Sequence, residues 1–577
     1  VASSARLEHL RALWPWLPLW LVAALLAIFS HGPMPLFSTR TLSVAWEMWQ
    51  QHHWLVPHIN GEPYSEKVPL LFWLIHAGWF VFGVNDVWPR VLEVLFGAAQ
   101  LVLATTLAGR LFPDRPWVAR STPWMLMALG YAFLFGLQIM YEVLLTVCVL
   151  AALLCLVPSP RRREPRWWLF GVLVGAGLLT KGPVMLLHVL FPWLLGPWWN
   201  EAARTQRARW YGRGALALLL GVAILLAWAL PAGLAGGEAY RHRLFFLQTA
   251  GRVVDGVASP DELQNHNQPF WWYLLALPVL LFPFSAWPRA YAALARLRRP
   301  LEPGVRFLLL WLLPVLAVFS LISGKQAYYL LPECGGAVML IAAAVARLRE
   351  RRRALAVTPW LGTWPLGLAG IAAALGAFFL PTLVSTGRLT DDWLLALSQY
   401  SRPFSVVFLL LGLLLLQRRR GELRRLALAG LIGALTVNTL FTLAVWPNYD
   451  LRPAARLLGA AEAQGRPLGI IGGYDGQFHF LGRLTRPLVR LQYDDSLQNF
   501  ARLHPDGLVV TRLSHPDAQA MRHALLVQPF RSVWLVIWPA PTLADLRAGR
   551  TPDDPPQPPR VYPRAGERLR MMRASRP

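Results

Sequence analysis

The sequence is short of charge, short of acid and short of paired cysteine. Only 15% of the 577 residues are charged, against roughly 25% in a soluble domain. With 55% hydrophobic residues and a mean hydropathy of +0.40, an ordinary soluble globule is excluded. Acids number 31 against 56 bases, a net charge of +25. In a soluble chain that surplus would point to nucleic acid. Here the arginines gather in short loops between apolar runs, so the surplus reads as membrane topology and not as a nucleic-acid surface. The three cysteines, Cys148, Cys155 and Cys334, lie in apolar runs without a CxxC spacing, which excludes a disulfide framework or a thiolate metal site. No GxGxxG follows a strand-like run, and no internal repeat is visible, so no nucleotide site is assigned.

What the chain has is apolar runs, many of them long enough to cross about 30 Å of hydrocarbon as helix. The fold class is a polytopic α-helical membrane protein. Arg6 and Arg11 precede the first run, 14–29, and place the N-terminus in the cytoplasm. No small-residue cleavage site follows, so the run reads as an anchor. Basic clusters stand at 113–120, 158–166, 200–213, 288–300, 347–353 and 417–425. If the run 69–84 crossed the membrane, all of them would fall outside. If it lies on the outer surface, all of them fall in the cytoplasm, as basic loops should. The expected spans are then 14–29, 90–112, 121–140, 143–157, 167–180, 182–198, 214–234, 269–287, 305–322, 327–346, 359–382, 403–416 and 426–446, about thirteen in all.

The expected organisation is a transmembrane domain over 1–446, with outer loops at 30–89 and 235–268. A periplasmic α/β domain over 447–550 follows, then a flexible Pro/Arg-rich tail over 551–577. In the outer domain the runs PLGIIGG (467–473), PLVRL (487–491), GLVVT (507–511) and SVWLVIW (532–538) read as strands. Helical stretches are read at 452–464 and 515–525.

This topology brings Tyr64, Glu66, Lys67, Glu142, Lys181, Arg252, His266, Lys325 and Tyr328 to the outer surface. Ionisable groups at a membrane boundary need a partner or a task. Each has a plain reading: Lys67 snorkels, Glu66 pairs with Lys67, His266 caps a span, and Glu142 is a polar residue in a tight turn. Glu333, an acid inside the run LLPECGG, either hydrogen-bonds locally or lines a cavity. Four cations from separate outer segments (Lys67, Lys181, Arg252 and Lys325) suit an anionic head group such as a phosphate.

The stretches WLVPHINGEPYSEKVPLLFW (54–73), FGVNDVWPRV (82–91), YEVLLT (141–146), LLTKGPVMLL (178–187), QNHNQPFWWYL (264–274) and SGKQAYYLLP (323–332) appear in an order that resembles the GT-C superfamily. The likeness is to the bacterial polyprenyl-phosphate-sugar glycosyltransferases of the protein O-mannosyltransferase-related branch, and most to the lipid A aminoarabinose transferases. It implies a glycosyltransferase of the inner membrane, taking a sugar from undecaprenyl phosphate to an acceptor facing the periplasm. The favoured acceptor is lipid A phosphate. It further implies that Lys67 contacts the lipid phosphate, with Arg252, Lys325, Tyr64 and Tyr328 in the same role. Glu66 and His266 are implied to share a divalent metal, zinc or another. Two ligands alone do not define zinc.

One departure stands out. The family's first-loop acid is absent: in PLFSTRTLSVAWEMW (35–49), Phe37 and Ser38 occupy the acidic positions. Glu47 comes about three helical turns too late. The second family acid corresponds to Glu142. A phosphate acceptor is already a nucleophile and needs less base help than a hydroxyl, so the loss favours a phosphate acceptor, with Glu142 or Glu333 as the carboxylate. It equally suits a degenerate member that binds polyprenyl phosphate or a partner without turnover. A transporter is the third reading, but neither inverted repeats nor interrupted helices support it.

Overall fold

A computed structural model describes residues 14–136, 138–159, 162–247, 267–297, 300–351, 358–386, 389, 392–417, 421–552 and 559–562. Helix stands at each of the thirteen apolar runs. Among the described residues six helices are long and apolar enough to cross a membrane: Val87–Leu111, Arg207–Ala235, Pro303–Leu321, Ala327–Glu350, Trp364–Ser385 and Glu422–Asn448. The run read as a surface helix forms Leu70–Phe82. Its 13 residues reach roughly 20 Å at 1.5 Å each, less than a hydrocarbon core of about 30 Å.

The chain divides into two compact units. The first comprises Val1–Phe29, Ser65–Ala374 and Val407–Val437. Small residues let its helices close on one another. A Cβ on Gly171 would stand 2.5 Å from the Ala217 carbonyl oxygen, and one on Gly175 would stand 2.7 Å from Ile224 Cδ1. Helices Trp167–Lys181 and Arg207–Ala235 therefore approach at backbone distance, the usual packing of apolar helices where no hydrophobic drive separates them from lipid. Ion pairs tie loop-side arginines down. Arg115 bonds Glu302 at 2.5 Å and Glu350 at 2.8 Å, and the buried Arg289 bonds Glu422 at 2.9 Å.

The second unit comprises Ser30–Tyr64, Leu375–Val406 and Asn438–Pro577. A six-stranded mixed sheet forms its centre. The strands are β3 (Leu468–Ile471), β4 (Val489–Leu491), β5 (Leu508–Leu513), β6 (Leu526–Phe530), β7 (Val533–Pro539) and β8 (Arg560–Val561), in the order β4-β3-β5-β7-β6-β8. One apolar core, with Leu458, Ile470, Phe478 and Ile537, packs against the sheet, and a second holds Phe500, Val509, Trp534 and Trp538. The four expected strands are present. β6 falls where a helical stretch was expected to end, because Pro529 and Gln528 mask the run as a strand. β8 lies within the Pro/Arg-rich tail and pairs with β6.

The same unit holds the helix Ser38–Gln50 and the short hairpin β1 (His58–Ile59) and β2 (Glu62–Pro63). Glu47 accepts the amide of Asn60 at 2.6 Å and that of Gly61 at 2.9 Å. Asn60 in turn donates its side-chain amide to the Leu488 carbonyl at 3.1 Å and accepts the Leu488 amide at 2.8 Å. The Trp46 indole donates to the Leu484 carbonyl at 2.7 Å.

Candidate functional site

Within the first unit, one group of predicted residues comes together. Helix Tyr141–Leu156 starts after an extended Met140 and carries Glu142 in its first turn. The expected tight turn is thus the opening of a helix, where the N-terminal end favours an acid. Lys181 is the last residue of helix Trp167–Lys181, where the C-terminal end favours a base. Lys181 Nζ donates to Glu142 Oε1 at 2.6 Å, with side chains only 14% and 7% exposed. A pair so little exposed resists screening and holds both groups in fixed positions.

Aromatic rings flank the pair. Lys181 Nζ lies 4.4 Å from the centre of the Tyr329 ring and 5.8 Å from that of Tyr328. Both tyrosines sit on the 3-10 turn Ala327–Leu330. Lys67 Nζ lies 5.7 Å from the centre of the Tyr141 ring, next in sequence to Glu142. Phe72 meets the same ring edge-on, with centroids 6.0 Å apart. Glu142 and Tyr328, far apart in sequence, thus meet at Lys181 with Tyr329, and Lys67 stands against Tyr141, the chain neighbour of Glu142. Two ammonium groups against one carboxylate leave a net positive charge that suits an anionic ligand, and the ring surfaces suit an apolar chain.

Lys325 and Glu333 occupy neighbouring but different contacts. Lys325 is buried and donates to the Gln268 carbonyl at 2.7 Å. The Gln268 amide donates to the Ser323 carbonyl at 3.1 Å, and the Tyr273 hydroxyl donates to the Gln326 carbonyl at 3.1 Å. Two of the motifs, around 267–273 and 323–326, are therefore laced together. Glu333 lies in the first turn of helix Leu331–Arg351 and accepts from His188 Nδ1 at 2.6 Å. Glu66 is partly buried just before helix Leu70–Phe82. Tyr64 is buried in the second unit, its amide donating to the Pro57 carbonyl at 2.7 Å. Arg252 and His266 lie outside the described residues. Among the described residues, no three His, Cys, Asp or Glu side chains gather so as to hold a metal ion.

The acid-less first loop has a structural occupant. Phe37 precedes the helix Ser38–Gln50, and Ser38 is buried. Glu47, 3% exposed, spends both carboxylate oxygens on backbone amides, and His479 Nε2 lies 3.8 Å away. Burial pushes its carboxyl above the ordinary range, while the two amide bonds pull it back. Glu47 fastens a loop and does not stand in for a missing acid. Two ionisable residues escaped the sequence reading. Glu93 is fully buried on helix Val87–Leu111, within electrostatic reach of Glu142. His188 is fully buried on helix Val184–Leu194. The available signal was one acid inside the run 90–112 and one histidine inside the run 182–198.

Residues 65–228 match the dolichyl-phosphate-mannose-protein mannosyltransferase family model. The chain is 32% identical over 365 residues to the undecaprenyl phosphate-alpha-4-amino-4-deoxy-L-arabinose arabinosyl transferase of Pseudomonas paraeruginosa, covering 61% of this chain and 63% of that protein. It is 33% identical over 364 residues to the transferase of the same name from Pseudomonas aeruginosa strain PAO1, again 61% of this chain and 63% of the relative. The chain thus spans somewhat over three fifths of the length of the curated relatives it matches. The crystal structure of ArnT from Cupriavidus metallidurans bound to undecaprenyl phosphate superposes with a TM-score of 0.67 at 19% identity, covering 90% of this chain and 98% of that one. Its apo state gives the same TM-score at 17% identity, covering 92% and 98%. The resemblance to the GT-C glycosyltransferases, and within them to the aminoarabinose transferases, is borne out, and the chain shares the polytopic helical fold of the two ArnT structures.

Proposed function

We propose that this chain is an inner-membrane glycosyltransferase that moves a sugar from undecaprenyl phosphate to a periplasm-facing acceptor, with lipid A phosphate the favoured acceptor. The observation that carries the reading is the cluster of Lys67, Tyr141, Glu142, Lys181 and Tyr328. The names of the relatives support the donor and the transfer. In this reading the N-terminus is cytoplasmic, about thirteen spans follow, helix Leu70–Phe82 lies on the outer surface, and the α/β sheet domain is periplasmic.

The chemistry is an in-line displacement at the anomeric carbon. The acceptor oxygen bonds to that carbon as its bond to the lipid phosphate breaks, and the electron pair leaves with undecaprenyl phosphate. Lys67 holds the negative charge that builds on the leaving phosphate, with Lys325 in support, and Arg252 is assigned there by resemblance alone. Glu142, held by Lys181, is the carboxylate that orients the reacting groups. Glu66 with His266 is the proposed metal pair.

The test is transfer from undecaprenyl phosphate-α-4-amino-4-deoxy-L-arabinose to lipid A by the purified protein in nanodiscs. Glu142→Gln and Lys67→Ala are each expected to lower kcat/KM by about 100-fold or more, as losses of charge stabilisation do. Full transfer by either variant would defeat the assignment. A second reading is favoured by Phe37 and Ser38 in the acidic positions: a chain that binds the polyprenyl phosphate without turnover. Donor binding without product across a panel of lipid-linked sugars would select it.

A further inference from the structure

We infer that His188 and Glu333 form a positioning pair that sets the tyrosine turn 327–330 against Lys181, and through Lys181 orients Glu142. The inference rests on the transferase reading above. Two segments carry all the parts. One runs from Lys181 through Gly182 and Pro183 into helix Val184–Leu194, which bears His188. The other runs from Tyr328 and Tyr329 into helix Leu331–Arg351, which bears Glu333 about one helical turn later. They touch twice: Lys181 Nζ stands 4.4 Å from the Tyr329 ring centre, and His188 Nδ1 donates to Glu333 Oε1 at 2.6 Å. Phe319 bridges the two contacts, its ring centre 5.7 Å from that of His188 and 6.1 Å from that of Tyr329.

The pair is expensive to keep. His188 is fully buried and Glu333 is 6% exposed. His188 Nε2 and Glu333 Oε2 are buried without a hydrogen-bond partner among the described residues. Two apolar side chains would hold the helices together at least as well. What the imidazole–carboxylate bond adds is direction, since it fixes one distance and one approach angle between the segments. The turn Gly182–Pro183 is short, with Gly182 at φ +66°, so an angle set at His188 is transmitted to Lys181 with little slack. In this arrangement both act through Lys181 and Tyr329.

The test compares truncating and conserving variants. Glu333→Gln still accepts from the ring N–H, and His188→Asn still offers a donor near the Nδ1 position. His188→Ala and Glu333→Ala offer neither. Turnover is normalised to the fraction of protein that binds undecaprenyl phosphate, which removes misfolded material. The alanine variants are expected to lose about 10-fold or more in kcat, with the donor KM within about 3-fold, the pattern of an interaction realised in the transition state. Glu333→Gln and His188→Asn are expected within about 3-fold of the parent in both. Hydrogen exchange at amides 327–331 is expected to quicken by about 10-fold in the alanine variants only, as local opening becomes easier. Parent-like kcat in the alanine variants, unchanged exchange at 327–331, or equal losses in the alanine and conserving variants would each overturn the inference. If the parent transfers no sugar, the transferase reading fails by itself, and the exchange pattern still decides whether the pair positions the turn.

Discussion

Lys181 and Glu142 stand 39 positions apart in sequence and 2.6 Å apart in space, each largely withdrawn from water. Removing one partner strands the other as a poorly solvated charge. Lys181→Met is therefore expected to destabilise the protein by about 3–5 kcal/mol, and Glu142→Leu by a similar amount. The double variant Glu142→Leu/Lys181→Met is expected to recover most of that stability while remaining unable to transfer sugar. Thermal unfolding in detergent of the three variants checks this. Additive losses in the double variant would show that the two side chains do not act as a pair. At this scale the sequence was only partly legible. Glu142, Lys67 and Tyr328 stood out as polar letters at the ends of apolar runs. The pairing of Glu142 with Lys181 and of Glu333 with His188 could not be read, because both depend on which helices pack together. Glu93 and His188 were hidden because one acid or one histidine in a long apolar run barely alters its hydropathy.

Helix Trp167–Lys181 delivers Lys181, and its placement depends on glycines that admit the neighbouring backbone. A side chain at Gly171 would strike the Ala217 carbonyl oxygen. Gly171→Leu is expected to cost about 1–3 kcal/mol or more from overpacking, and to reduce transfer by displacing Lys181. Gly212, on the partner helix, has nothing within 4 Å of an added Cβ. Gly212→Ala is expected to be neutral or to stabilise by up to about 1 kcal/mol, as removal of a mid-helix glycine does. Unfolding midpoints and transfer rates of the two variants give the comparison. Elements were the most legible scale, since long apolar runs admit little but helix and the β-branched runs of the second unit form the expected strands. β6 was missed because Pro529 breaks the pattern, although that strand lies between β7 and β8. The helices Asp495–Leu503 and Ala540–Arg547 were also unread, each being too short to establish a period.

Over the whole molecule, pH bears on the second unit through imidazoles that burial pushes down, the half-buried His58 and the deeply buried His479. His479 is 1% exposed, and burial pushes it down from 6.5 to about 4. Its Nδ1 lies 2.5 Å from the Tyr474 hydroxyl. The folded state keeps the ring neutral, whereas the unfolded chain takes up a proton below pH 6.5. The unfolded state then binds more protons, so stability is complete above pH 6.5 and drains away as pH falls toward 4. The full effect is about 3 kcal/mol. Glu47, raised by burial, runs the other way: its contribution is present at low pH and is lost as pH rises through its folded value. His479→Gln is expected to flatten the fall between pH 6.5 and 4. Unfolding midpoints recorded across that range check it, and an unchanged slope would exclude His479 as the source.

The bonds between Asn60 and Leu488 join residues 428 positions apart. At about 5–20 residues per second, a ribosome needs roughly 20 to 90 s to make the intervening chain. Throughout that interval the helix Ser38–Gln50 and its hairpin exist without the strands that complete their hydrogen bonds. The loop 51–64 therefore waits for a partner that is made 428 residues later, and within the second unit the order of synthesis and the order of docking part company.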